Sequence, residues 1–133
     1  PGTVRYLGLS RWDARSDGFN LPGINGGLFA RPSAAMQAGF AQRYNAAYNA
    51  QPHPLAALGF DAASIVAQAL ATRRRDAFSA AVLTRSSGFS GSLGPVRLRE
   101  DRTADRALEI ATIRNRQVEI LDPAPTSFRG SGS

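Results

Sequence analysis

From residue 54 to residue 72, apolar side chains recur three and four apart. Leu55, Leu58, Ala62, Ile65, Val66, Ala69 and Leu70 fall on one broad face, as in a helix packed on a core. Pro54 suits the first turn of such a helix, where its missing N–H has no partner to lose, and Arg73, Arg74 and Arg75 suit the carbonyl end. A second helical stripe, Met36, Phe40, Tyr44 and Tyr48, repeats every four residues behind Ser33, a candidate N-cap, and stops before Pro52. Asp76 is placed to cap a short third helix ending at Leu83.

Strand signals flank these helices. Residues 3–9 carry Val4, Tyr6 and Leu7 between glycines, and residues 27–30 (GLFA) form a short apolar run after a loop at 10–26 rich in Gly, Asn, Asp and Ser. Residues 84–95 (TRSSGFSGSLGP) read as a turn-rich connection. Val96 and Leu98 then alternate with Arg97 and Arg99, and residues 100–105 turn. Residues 108–113 pair with 117–121 across a tight turn at Asn115-Arg116, and Asp122-Pro-Ala-Pro stops regular structure. Strands, then helices, then strands predict α/β layers rather than a bundle or a sandwich.

Composition narrows the function classes. At 133 residues and 43% apolar content, the chain is long enough for a core, and it holds no apolar run long enough to span a bilayer. Its 16 basic residues are all arginine and run from Arg5 to Arg129, clustering only at 73–75. Nucleic-acid binding favours concentrated charge interleaved with stacking aromatics, so no nucleic-acid partner is expected. The first residues are Pro1-Gly2, so any signal peptide or lipid anchor is expected upstream, and residues 130–133 read as a flexible linker.

Candidate chemistry is sparse. There is no cysteine and only one histidine, His53, wedged between Pro52 and Pro54 and read as a solvated connector. A Cys-His pair and a zinc cluster are therefore ruled out, a Ser-His-Asp triad is hard to build, and neither catalysis, cofactor nor metal is expected. Gly26-Gly27 lacks a following lysine, and the glycines at 88–94 precede a strand, so no phosphate loop is present. Asp61 reads as a helix side chain bonded to nearby backbone or to an arginine. In open α/β sheets, ligands sit outside the carboxyl ends of strands, which points to the loop after the first strand: Ser10, Arg11, Trp12 and Asp13. Trp12 offers a flat apolar wall and Asp13 an acceptor. The alternative is a tryptophan packed on its own sheet beside a solvated Asp13.

Pro54, Leu55 and Ala57, the Gly59-Phe60-Asp61-Ala62 step, and then Gly88-Phe89-Ser90-Gly91 with Gly94 together resemble the C-terminal part of type 1 periplasmic-binding-protein domains. There a proline-led helix with a Phe-Asp-Ala or Tyr-Asp-Ala step precedes a glycine-rich turn and edge strands. The upstream Tyr6-Leu7-Gly8 followed by Trp12, and the GLFARP strand leading to Phe40 and Tyr44, are similar too. The resemblance implies the C-terminal portion of a two-lobed fold with a sheet flanked by helices. Residues 3–51 would supply second-lobe strands and a helix, 52–105 first-lobe helices and a strand, and 106–122 the return strands.

Two branches of that family fit. One comprises substrate-binding components of ABC transporters for amino acids, amides or related small polar solutes. The other comprises envelope lipoproteins that activate penicillin-binding proteins in peptidoglycan synthesis. The segment from Gly88 to Asn115, with Arg106 and Leu108 ahead of the final strand pair, looks more like the activator branch. Either implies a non-catalytic protein, in the periplasm or anchored to the outer membrane on its periplasmic side. Its partner would be a peptidoglycan synthase or an ABC permease. The resemblance also implies that the N-terminal portion of the domain comes from a separate chain or a swapped copy, covering Met36, Phe40, Leu58, Ile65 and Val66. Amino-acid binders of the family place an acid where Ser10 stands. That departure favours an uncharged ligand or none, unless Asp13 substitutes.

Overall fold

The computed structural model describes residues 4–9, 12–13 and 16–128. In chain order these form strand β1 (Leu7–Gly8), two 3-10 turns at Ser16–Asn20 and Pro22–Ile24, strand β2 (Leu28–Arg31), helix α1 (Ala34–Tyr48), helix α2 (Ala56–Ala71) and helix α3 (Ala80–Leu83). Strands β3 (Phe89–Gly91), β4 (Gly94–Leu98), β5 (Ala104–Arg106), β6 (Glu109–Arg114) and β7 (Gln117–Asp122) follow. The chain divides into two compact units, one of residues 1–33 and 108–124, the other of residues 34–107 and 125–133.

The first unit holds a four-stranded sheet in the order β1-β2-β6-β7. Strand β1 runs parallel to β2, and β2-β6 and β6-β7 are antiparallel. The β6-β7 hairpin turns through Asn115 and Arg116, both at positive φ (51° and 62°), the pairing that matches the right-handed twist of its strands. A bulge between Ile110 and Ala111 shifts the register, so Ile110 faces Asp122 while Ala111 faces Ile120. Phe29, Ala111 and Ile113 make the core, with Trp12, Phe19, Ile24 and Val118 packed around them. The loop expected at 10–26 is more regular than glycine and asparagine suggest, because two 3-10 turns close it and Gly26 N–H reaches Ile113 O at 2.8 Å.

The second unit packs α2 on the three-stranded sheet β3-β4-β5. Ile65, Phe89 and Val96 form its core, joined by Leu83 and Leu98. The buried stripe of α2 is Ala57, Asp61, Ile65 and Ala69, one residue per turn. Leu58, Val66 and Leu70 are 45%, 47% and 54% exposed, so the broad apolar face read from the sequence is buried along one edge only. Of the side chains expected to lack cover, Met36, Leu58 and Val66 are exposed, while Phe40 and Ile65 are buried. Phe40 lies against Phe60 (5.7 Å between centroids) and Tyr44 (6.1 Å).

Several local expectations are corrected. Pro54 lies in the turn before α2, whose first helical residue is Ala56, and Arg73 leaves the helix at φ 54°, so the arginine triplet follows the helix end rather than its last turn. Asn49, also at positive φ, ends α1 with its N–H on Asn45 O. The short third helix begins behind Ser79, and Asp76 instead holds Arg74. The glycine-rich stretch at 84–95 contains strand β3 and the turn into β4, because Gly91 and Gly94 are cross-strand partners.

Candidate ligand site

Strands β1 and β2 are parallel, so their carboxyl ends emerge together and the loop after β1 stands beside the last residue of β2. Ser10 and Arg11 lie outside the described residues. Trp12 N–H closes a turn on Leu9 O at 3.1 Å. Its indole lies flat on the sheet. A Cβ on Gly8 would collide with the six-membered ring, and one on Gly27 would stand 2.7 Å from Cζ3. Phe29 tilts against it with centroids 6.0 Å apart. These two glycines therefore let the tryptophan seal the end of the first unit's core, and the half-buried indole is packed on its own sheet.

Asp13 is half-buried and ion-paired rather than free in solvent. Its Oδ2 accepts from Arg31 Nη1, while Arg31 Nε donates to Glu109 Oε1 at 2.7 Å. Arg31 and Glu109 are directly opposed on β2 and β6, with side chains 12% and 4% exposed. Burial alone would lower the Arg31 pKa. The hydrogen bonds it donates to Asp13 and Glu109 outweigh that and leave it raised, so the guanidinium stays charged between two carboxylates.

A second polar cluster lies in the other unit. Asp61, 1% exposed, accepts from Ser92 N–H through Oδ1 (2.5 Å) and from Arg106 Nη1 through Oδ2 (2.7 Å). The Gly91 Cα approaches so closely that a Cβ would stand 3.0 Å from Asp61 Oδ2 and 2.7 Å from Gly94 O. The Phe-Asp-Ala step and the glycine-rich turn are thus two sides of one contact. It ties α2 to the β3-β4 hairpin and is too enclosed to meet solutes.

Sequence reasoning missed Arg31 and Glu109. The signal was present: an arginine ending an apolar strand and a glutamate opening another each need a partner when the strand is buried. Among the described residues no group of three His, Cys, Asp or Glu side chains is arranged to hold a metal ion.

No protein-family model matches this sequence, and no curated protein matches it. Solved structures do. A crystal structure from Rhodospirillum rubrum, assigned to branched-chain amino acid ABC transport, is similar over 90% of this chain and 38% of its own, with 21% identity and a TM-score of 0.67. An extracellular ligand binding receptor from Desulfohalobium retbaense is similar over 88% of this chain and 22% of its own, with 17% identity and a TM-score of 0.52. The neighbours are type 1 periplasmic binding proteins. This chain has the α/β fold of part of such a two-lobed protein, with sheets flanked by helices, and spans 38% of the first neighbour's length.

Proposed function

We propose that this chain is part of a substrate-binding protein that captures a small polar solute for an ABC permease, outside the cytoplasm. The carrying observation is the fold likeness to the Rhodospirillum rubrum structure, whose assignment is to branched-chain amino acid transport. Its likeness runs toward transporter components, which favours this reading over the activator branch. Ser10, Arg11, Trp12 and Asp13 form this chain's share of the site; of the two that are described, Asp13 pairs with Arg31, the last residue of β2, which runs parallel to β1. In this reading Trp12 supplies the wall, and Arg31 holds Asp13 in place. The remaining lining comes from the part of the two-lobed fold that this chain does not span. Among the described residues, no helix is long and apolar enough to cross a membrane.

A second reading, an envelope protein that activates a penicillin-binding protein by contact, gains support from one feature. Asp13 is already committed to Arg31, and Ser10 carries no charge, so neither offers a free carboxylate for a ligand ammonium. Titration of the intact gene product with amino acids and amides, reading the fluorescence difference between wild type and Trp12→Phe, separates the two. A saturable change in the Trp12 signal supports the receptor. No change with any solute leaves only the contact protein.

A further inference from the structure

We propose that the segment after β7 is a strap whose anchor is Phe128, and that it governs the opening of the β3-β4 hairpin. The chain leaves β7 through Pro123-Ala124-Pro125 without regular structure, and from residue 125 onward it groups with the second unit. The half-buried Phe128 ring ends against two features of that hairpin. Its Cδ2 is 3.1 Å from where a Gly88 Cβ would stand, and the Arg97 guanidinium carbon lies 4.9 Å from its centroid.

Both features are prepared for it. Gly88 sits at φ 64°, and a side chain there would also stand 2.5 Å from Val96 O, so only glycine leaves the seat open. Arg97 donates to Asp105 Oδ2 through Nε (3.0 Å) and Nη2 (2.6 Å), which fixes its guanidinium as a plate before the ring arrives. A plate already held loses little side-chain freedom on stacking, so the cation–π contact keeps more of its attraction. Arg85 grips the same peptide, donating from Nε to Gly88 O at 2.8 Å while its guanidinium covers Phe89 at 4.1 Å. The hairpin's entrance at Gly88 is thus held by Arg85 and by the returning tail. The tail's approach is made of exposed, irregular residues, so it is the side that lets go first.

This proposal is independent of any bound solute. Amide hydrogen exchange on the full chain tests it. In Phe128→Ala the amides of β3 and β4 should exchange roughly threefold to tenfold faster, while those of β6 and β7 are unchanged. Phe128→Tyr, which keeps the ring, should restore wild-type protection. Unchanged protection of β3 and β4 in Phe128→Ala, or loss of protection spread equally over β6 and β7, would overturn the strap.

Discussion

Asp61 and Arg106, 45 residues apart in sequence, meet at 2.7 Å with the carboxylate only 1% exposed, and the other carboxylate oxygen takes the Ser92 N–H at the β3-β4 turn. One side chain therefore holds helix, turn and strand together. Asp61→Ala leaves a buried N–H and a partly buried guanidinium without that acceptor and should cost about 3 kcal/mol in urea unfolding. Asp61→Leu combined with Arg106→Leu should recover most of that loss. A double variant no better than the single would show that the pair does not act as a unit.

Two glycines should respond to alanine with opposite signs. Gly91→Ala drives a Cβ to 2.7 Å from Gly94 O and should destabilise by about 1–3 kcal/mol. Gly59, inside α2 and exposed, has nothing within 4 Å of an added Cβ, so Gly59→Ala should stabilise by about 0.5–1 kcal/mol. Melting temperatures of both variants check the pair.

Arg31 lies between Asp13 and Glu109, so Arg31→Met removes the cation that pairs with both. The expected loss is about 3 kcal/mol, with Arg31→Lys recovering only part because an ammonium cannot fork between two carboxylates in the same way. Denaturant midpoints decide it. If Arg31→Lys equals wild type, the forked geometry is unimportant.

The β6-β7 hairpin was legible because its turn residues and its alternating strands agree, both being local signals. The α2 stripe was only half legible. A carboxylate occupies a core position in it, and pattern reading gives such positions to leucine and valine, which here face outward. Strand β3 was hidden by glycine and serine that read as turn, although the close approach at Gly91 is what demands them. At the candidate site, the place of Trp12 and Asp13 just after a strand could be read. Their partners could not, since Arg31 and Glu109 meet only through a register set by the whole sheet.

Acid should weaken the hairpin unit in a defined direction. Hydrogen bonding from Arg97 holds the Asp105 carboxyl below the ordinary carboxylate range, and the Thr103 hydroxyl does the same for Asp101. A lowered native value means the unfolded chain binds protons first as pH falls. Their contribution is complete above the unfolded value of about 4 and drains as pH drops through the native values. Melting temperature should therefore hold above about pH 5 and fall below about pH 4. Asp105→Asn should lower stability at neutral pH and remove its share of the acid slope.

Solute capture is tested most directly by a thermal-shift screen of the intact gene product against amino acids and amides. A receptor near 100 times its dissociation constant gains about 2.7 kcal/mol, a rise of a few degrees, and the account predicts that rise for at least one solute, diminished by Trp12→Ala. A flat response to every solute at millimolar concentration would contradict it.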